Sequence, residues 1–415
     1  MRGVIWLVLL FTVAVVAATT LGSNDGLVSV YWRGWRTDLS LNLFVLLLVG
    51  SCVVLVSAVQ AFQSLVNLPQ RASEWRALRR ERAAQVAFRE ALAEYFSARY
   101  SRANKAAQRA LTIQDDTPAL AGDHDFRLLA QLLSAGSLHR LQDRARRDQA
   151  LQSALNPSNK PSGPRSAEDG ARLLAAEWAI EDRDAPRALQ MLAALPAGVA
   201  RRTHALRLKL QASRLAREPM EALHTARLLA NHQAFTPVVA QSLLRSLAGE
   251  ALAVAHDIQQ LQRLWASFDN ADRADPQVAA RAVARAAQLG AHEDARQWLR
   301  PFWERLAELA REDREQVALA LMEATLGMGV DWLPRLESAV QNFGHEPMVA
   351  AAVGQAFAER QLWGKAKRHL EQAAVAPSLP AAVRRAAWRQ LAALARQEGD
   401  EPRASAGDRA AAALD

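Results

Sequence analysis

The sequence contains one cysteine and few glycine or proline residues. Because Cys52 is the only cysteine among 415 residues, a disulfide scaffold, a cysteine-ligated zinc site and a CxxC redox site are excluded. Glycine (19 residues) and proline (16 residues) together fall well below their usual share of roughly 12%. This shortage excludes a collagen-like chain and disfavours an all-β fold, which needs many turns. Alanine, leucine, arginine, glutamine and glutamate are abundant instead, so we predict an all-α protein.

The sequence also lacks the motifs of common enzyme classes. It has no Walker A loop, no G-x-S-x-G elbow and no H-E-x-x-H pair, and the segment 327–329 lacks the third glycine of a dinucleotide site. His124 lies between Asp123 and Asp125, but an aspartate at a helix start more commonly caps the helix than binds a metal. We predict no enzyme activity, no catalytic residues, no metal and no cofactor. The absence of C-x-x-C-H excludes covalent haem, and haem held through a single histidine stays an open alternative.

Two long uncharged segments near the N-terminus predict a membrane anchor. Residues 4–22 and 41–65 each reach the roughly 20 apolar residues that a helix needs to cross a bilayer. An alternative for the first segment is a cleaved signal peptide. Arginines are concentrated after the second segment, so the positive-inside rule places the C-terminal part of the chain in the cytoplasm. These arginines are Arg71, Arg76, Arg79, Arg80, Arg82 and Arg89.

The loop 23–40 between the two segments predicts a small β-hairpin. Residues 26–32 alternate in polarity, Arg33-Gly34 forms the turn, and the chain returns from Trp35. Trp32 and Trp35 suit the outer membrane interface because indole rings are amphipathic. The hairpin is either a simple interfacial anchor or a surface that binds a partner.

The positive charge is concentrated beside the membrane. Residues 67–112 carry ten Arg or Lys and four Glu, which accounts for +6 of the net charge of +8. A long basic helix predicted from Ser73 to about Leu111 either meets anionic lipid headgroups or presents a solvated face. From residue 113 onward 38 basic residues nearly balance 37 acidic ones, so we predict no nucleic-acid binding.

Beyond the anchor, a unit of two amphipathic helices recurs with a period of about 34 to 38 residues, as in helical-hairpin solenoids. The unit at 348–377 follows the tetratricopeptide pattern of small and large residues, with Gly354, Ala366 and Ala373 as the small ones. We therefore predict two transmembrane helices followed by a tetratricopeptide-like solenoid. The positions that correspond to Ala366 in the earlier units are Ala103, about Leu141, Ala188, Ala222, about Ile258, Ala295 and about Leu333.

These patterns divide the chain into five parts. Residues 1–66 form the membrane anchor, and 67–155 form the basic juxtamembrane helix and the first repeats. The Pro- and Ser-rich segment 156–167 is predicted to be a flexible linker. Residues 168–397 form the main solenoid, closed by a capping helix at its end. The polar, Ala-rich residues 398–415 are predicted to be a disordered tail.

In such solenoids the first helix of each unit lines a concave groove. Polar residues at the groove positions are candidates for holding a peptide or an acidic ligand, although an ordinary hydrated face is the alternative for each. The candidate binding residues are His204, Arg207, Gln211, Arg214, Gln355 and Glu359.

The whole chain resembles the proteobacterial HemY family of inner-membrane tetratricopeptide proteins. Two motifs carry the resemblance, one in the loop and one in the last repeat. The motif residues are Trp32, Gly34, Trp35, Arg36, Trp363, Gly364 and Lys365. The lack of a dinucleotide fingerprint argues against the unrelated flavin-dependent protoporphyrinogen oxidase that bears the same name.

The resemblance implies a role in haem biosynthesis at the bacterial inner membrane, in organising late-pathway enzymes or intermediates. The positive-inside rule places the loop 23–40 in the periplasm. We expect a non-catalytic scaffold whose partners are membrane lipid and haem-pathway enzymes. Two alternatives remain open: a protein that binds haem or porphyrin in the solenoid groove, and a general tetratricopeptide adaptor for envelope assembly.

Overall fold

The computed structural model describes residues 11–13, 26–120, 122–155 and 166–414. It confirms the all-α prediction, since one two-stranded sheet is the only β-structure in the described residues. The chain divides into two compact units, Met1–Pro164 and Arg165–Asp415. The division falls inside the predicted linker 156–167, most of which lies outside the described residues.

The first unit begins with the predicted β-hairpin. Strands β1 (Leu27–Trp32) and β2 (Trp35–Ser40) pair antiparallel, with Trp32 opposite Trp35 at the turn. Arg33 and Gly34 both have positive φ values, 42° and 91°, as a tight two-residue hairpin turn requires. The prediction of a hairpin here is therefore confirmed.

Helix α1 (Leu41–Phe96) follows directly and contains 56 residues. The Ser40 side chain caps it by accepting a hydrogen bond from the backbone N–H of Leu43. Its first part, Leu41–Phe62, is long and apolar enough to cross a membrane. The predicted first span, 4–22, lies outside the described residues except for 11–13, which are helical.

The long helix predicted to reach Leu111 is interrupted at Ser97–Arg99. Ala98 takes a left-handed conformation with φ 59°, which ends α1 and starts a second helix. The first unit is completed by three further helices and a short 3-10 turn at Pro118–Leu120. The helices are α2 (Tyr100–Asp115), α3 (His124–Arg140) and α4 (Arg144–Ala154).

The second unit consists of helices in the described residues, joined by turns and by 3-10 segments at Leu306–Glu308 and Val330–Trp332. The first eight are α5 (Ser166–Glu181), α6 (Ala185–Ala193), α7 (Ala197–Ala200), α8 (Thr203–Leu215), α9 (Pro219–Asn231), α10 (Pro237–Ala253), α11 (Ile258–Ser267) and α12 (Asn270–Arg273). The other eight are α13 (Pro276–Gln288), α14 (His292–Trp303), α15 (Arg311–Glu323), α16 (Leu333–Phe343), α17 (Pro347–Glu359), α18 (Trp363–Val375), α19 (Ala381–Gln397) and α20 (Glu401–Ala412).

Seven helix pairs are joined by the same three-residue turn. In each turn the middle residue is left-handed, and the next residue donates its N–H to the carbonyl five positions back, at 2.8–3.0 Å. This is the Schellman arrangement, which satisfies carbonyls at the end of the first helix. The left-handed residues are Ala98, Gln142, Arg183, Arg217, Gly290, Gln361 and Gly399.

The fourth residue of the second helix is buried in every pair, including the two pairs with longer connections, α10–α11 and α15–α16. The nine buried residues are Ala103, Arg147, Ala188, Ala222, Leu261, Ala295, Leu336, Ala366 and Ala404. A small residue here lets the two helices approach closely, and a larger one fills a wider gap.

Five of the predicted reference positions occupy this fourth place, and the three approximate ones do not. Leu141 lies at the C-terminal cap of α3, and Arg147 takes the buried place in that unit. Ile258 and Leu333 are the first residues of their helices, three positions before Leu261 and Leu336. The longer connections before these two helices account for the shift.

The core of the second unit consists of two clusters of buried side chains and is rich in alanine. Its largest cluster of buried side chains extends from Leu206 to Leu394, and a smaller cluster lies between Ala176 and Ala212. Because the clusters join successive helix pairs, each pair is stabilised by burying apolar surface against its neighbours.

The prediction of a disordered tail at 398–415 is wrong. Helix α20 occupies Glu401–Ala412, and the Asp400 side chain caps it by accepting a hydrogen bond from the N–H of Arg403. Ala404 and Ala411 are buried, and Gly407 packs against Ala392 of α19. The small side chains allow this close packing, so the predicted capping helix α19 is followed by a partner helix.

Candidate protein-binding groove

Helix α8 presents one open polar face. His204, Arg207, Gln211 and Arg214 are all exposed and recur at intervals of three or four residues, whereas the opposite side of the helix is buried. Within the part of the chain that the structure describes, none of these four side chains forms a hydrogen bond or an ion pair. The face therefore offers two free guanidinium groups, an imidazole and an amide to a binding partner.

The two candidates on α17 are hydrogen-bonded to the last turn of α15 and to the chain that follows it. The Gln355 Nε2 donates hydrogen bonds to the Met322 carbonyl at 3.0 Å and to the Thr325 Oγ1 at 3.3 Å. The Glu359 Oε1 accepts a hydrogen bond from the backbone N–H of Gly327 at 3.0 Å. These contacts connect neighbouring helix pairs, so the two side chains position the groove wall.

A groove of about 550 Å³ lies beside Gln355 and Glu359, between α15, α17 and α19. Its walls combine apolar side chains with the carboxylate of Glu323, and Leu326 at its edge is exposed. A groove of this kind can accept an apolar side chain and pair a cation with the carboxylate. The other wall residues are Leu319, Ala382, Val383 and Ala386.

The six predicted binding residues thus occupy two separate places. Three helix pairs lie between α8–α9 and α17–α18 along the chain. The sequence pattern missed Glu323, the last residue of α15, and Leu326, in the connection that follows it, because the repeat register was shifted there. The sequence signal that could have located them is the Leu-Gly pair at 326–327, because its glycine interrupts an otherwise helical segment.

The loop motif combines a polar cluster with two exposed indoles. Trp32 and Trp35 are 74% and 80% exposed. The Arg36 Nε lies 2.9 Å from the Asp38 Oδ1, and the Ser29 hydroxyl also donates to that carboxylate. The Ser29 hydrogen bond, followed by the Arg36 hydrogen bond, lowers the pKa of Asp38. The motif therefore fixes the hairpin and leaves both tryptophan rings free to contact lipid or protein.

The motif of the last repeat has a packing role. The Lys365 Nζ lies 2.6 Å from the Glu337 Oε1 of α16 and 5.7 Å from the centroid of the Phe357 ring. Trp363 is partly buried against the core, and a Cβ atom at Gly364 would point into open space. Lys365 thus connects α18 with both α16 and α17.

The histidines of the chain show no ligand arrangement in the described residues. Asp123 caps α3 by accepting a hydrogen bond from the N–H of Phe126 at 3.0 Å, as the sequence analysis predicted. No group of three or more His, Cys, Asp or Glu residues could hold a metal ion in the described ranges. His369 is buried beside Phe357, and this burial, together with the charge of Arg368, lowers the pKa of His369.

Comparison with known proteins identifies the N-terminal segment. Residues 26–122, which include the hairpin, α1 and α2, match the family model described as the HemY protein N-terminus. No curated protein matches the chain. The family match confirms the resemblance to HemY that the loop motif indicated.

Proposed function

We propose that this HemY-family chain is a non-catalytic, membrane-anchored scaffold that holds haem-pathway enzymes at the bacterial inner membrane. The observation that carries the proposal is the recurrence of one helix pair. Seven pairs share a turn, and all nine bury the fourth residue of the second helix. The described residues offer open faces along these pairs and no cluster of metal-binding side chains.

The repeated pair supports a tetratricopeptide-like solenoid. Each unit buries its apolar side against the next, and a stack of such units presents the first helices on one extended surface. The polar face of α8 and the groove between α15, α17 and α19 both belong to first helices. Such a surface suits an extended or helical segment of another protein.

The anchor supports a role at the membrane. Leu41–Phe62 is apolar enough to span, and the predicted span 4–22 would place the hairpin in the periplasm and the helical repeats in the cytoplasm. Tethering a partner beside other membrane enzymes raises its local concentration to about the millimolar range. Weak individual contacts would then suffice for an assembly.

The family match supports the link to haem biosynthesis. Late porphyrin intermediates are poorly soluble, so an assembly that keeps successive enzymes together at the membrane has a physical advantage. The scaffold would contribute positioning rather than chemistry.

Affinity capture of the full-length chain from detergent-solubilised membranes tests the proposal. We expect haem-pathway enzymes to co-purify, and we expect Arg207→Glu with Arg214→Glu to reduce their recovery because both arginines lie on the open face of α8. Arg102→Glu, on α2, is the matched control and should leave recovery unchanged. Recovery of unrelated envelope proteins alone would contradict the scaffold and favour a general adaptor.

A haem titration separates the scaffold from the ligand-binding alternative. The groove beside Glu323 and Glu359 carries carboxylates, which repel the propionates of a porphyrin. We therefore expect no saturable Soret shift of the purified chain below about 10 µM haem. A saturable shift would show that the chain itself binds the pigment.

A further inference from the structure

The juxtamembrane part of α1 presents an outer stripe that no described residue covers. Its members recur at helical spacing, and all are exposed; Trp75 is 60% and Phe96 is 82% exposed. The outer stripe consists of Trp75, Leu78, Arg82, Val86, Arg89 and Phe96. The opposite face of the same helix buries Ala84, Ala87 and Ala91, and this face packs on α2. α1 therefore has a second face that carries both apolar and cationic side chains and that packs against no described helix.

The charge of the outer stripe has one sign. Arg82 and Arg89 form no hydrogen bond or ion pair in the described residues, and the Arg79 guanidinium beside the stripe lies over the Trp75 ring, 5.3 Å from its centroid. Two acidic residues adjoin the arginines of the stripe in sequence, Glu81 and Glu90. Glu90 is paired with Arg109 of α2 at 2.8 Å, so Glu81 is the one acidic side chain beside three arginines, Arg79, Arg82 and Arg89. The stripe thus combines large apolar side chains with an excess of cations, a composition typical of binding hot spots.

Lipid cannot cover the whole outer stripe. α1 continues without interruption from the span to Phe96, and a helix rises about 1.5 Å per residue. Trp75 therefore lies about 20 Å beyond Phe62, and Phe96 about 50 Å beyond it. The headgroup layer adds only about 5–8 Å to the hydrocarbon on each side, so even a tilt of about 40° leaves Val86, Arg89 and Phe96 far from lipid.

A second copy of the chain is an unsuitable occupant as well. In a two-fold parallel pair, which is the arrangement that two copies in one membrane adopt, Arg82 would face Arg82 and Arg89 would face Arg89 across the contact. Like charges held together at an interface cost free energy. The stripe needs a partner with the opposite charge.

We propose that the outer stripe docks an acidic amphipathic helix of another protein that stands at the same membrane. The apolar side chains of the stripe recur at the spacing that packs against the apolar side of a parallel or antiparallel helix. Glutamate or aspartate residues that flank the apolar side of the partner helix would pair with Arg82 and Arg89. The inference names a partner class for the proposed scaffold, but it depends only on α1 and not on the groove or on haem.

Peptide binding to the full-length chain in nanodiscs of neutral phosphatidylcholine tests the proposal. The probe is a fluorescein-labelled synthetic helix of three heptads with leucine on one face and glutamate beside it. One control peptide has lysine in place of each glutamate, and another has the acidic composition in scrambled order. We expect saturable anisotropy changes with the acidic amphipathic peptide alone.

Charge reversal assigns the binding to the stripe. Arg82→Glu with Arg89→Glu should lower the affinity for the acidic peptide at least about tenfold and allow the lysine peptide to bind. Arg102→Glu on α2 should leave both affinities unchanged, and the melting curves of all variants confirm that they fold.

Three results would overturn the inference. These are equal binding of the scrambled peptide, an unchanged affinity in the double variant, and capture of phosphatidylglycerol vesicles through Arg82 and Arg89 without peptide binding. The last result would assign the stripe to lipid. Because the scaffold experiment uses α8 variants, failure here and failure of the scaffold proposal can be told apart.

Discussion

Gly354 packs directly against Leu370 where α17 meets α18. A Cβ atom at position 354 would lie 3.0 Å from the Leu370 Cγ and 3.1 Å from the Leu370 backbone nitrogen. The backbone atom cannot move aside as a flexible side chain can, so the two helices keep this separation only while position 354 has no side chain.

Replacing Gly354 with leucine should therefore separate the helices. We expect the free energy of unfolding to fall by about 2–3 kcal/mol, as in other overpacked cores, measured by urea denaturation. Gly364→Leu is the matched control, because position 364 is exposed and a Cβ atom added there would meet nothing within 4 Å. If both variants melted alike, the close approach of α17 and α18 would be wrong.

The shared turn predicts opposite effects for two reciprocal substitutions. Gln361 is left-handed at φ 59° and Gly290 at φ 80°, and this region is unfavourable for residues with a side chain. Gln361→Gly should raise the free energy of unfolding by about 0.5–1 kcal/mol, and Gly290→Gln should lower it by about 1 kcal/mol. Thermal and urea unfolding measure both, and shifts of the same sign would contradict the turn geometry.

The pair Arg314–Glu346, whose side chains are 16% and 10% exposed, predicts a large loss of stability when one partner is removed. The Arg314 Nη2 lies 2.7 Å from the Glu346 Oε1, and its guanidinium also lies over the Phe343 ring at 4.8 Å. The hydrogen bonds to Glu346 raise the pKa of Arg314. Glu346→Ala should destabilise the chain by about 3 kcal/mol because it leaves a desolvated cation.

Removing both charges distinguishes the cost of an unpaired cation from lost packing. The double variant Arg314→Met with Glu346→Leu should recover most of the stability that Glu346→Ala loses. A double variant as unstable as the single one would show that the ion pair itself, rather than its desolvation, is essential.

His369 predicts a pH dependence of stability. Its pKa is lowered from 6.5 by burial and by Arg368, so the unfolded chain binds a proton more readily than the folded chain. Stability from this group is therefore complete above about pH 6.5 and decreases as the pH falls towards the lowered pKa. His369→Gln should flatten the dependence of the urea midpoint on pH between about pH 7.5 and 5.5.

The sequence predicted the features whose signals are local. The hairpin followed from alternation around Arg33-Gly34, and the helix predicted at the end of the solenoid is α19, Ala381–Gln397. The turns were harder because five of the seven left-handed positions are not glycine. Ala98, for example, ends α1 inside a segment whose composition is helical throughout.

The candidate site was predicted only in part, because contacts between repeats are not encoded locally. The exposed face of α8 follows from spacing along one helix, and the structure shows it open. The partners of Gln355 and Glu359, about 30 residues earlier in the chain, depend on how successive pairs stack. The final helix was missed because its buried residues are alanines, which are equally common on surfaces.

The uninterrupted length of α1 limits how a partner can meet the chain. If Leu41–Phe62 spans the bilayer as proposed, the continuous helix that follows fixes the height of the outer stripe above the lipid. A partner anchored in the same bilayer also has a fixed height above the lipid. The two proteins then differ only in lateral position and in rotation about the axis of α1. Docking then requires a match only in lateral position and in rotation about the helix axis. Two glycines inserted between residues 63 and 74 would let the height and tilt of the stripe vary as well, and association with the partner would become slower.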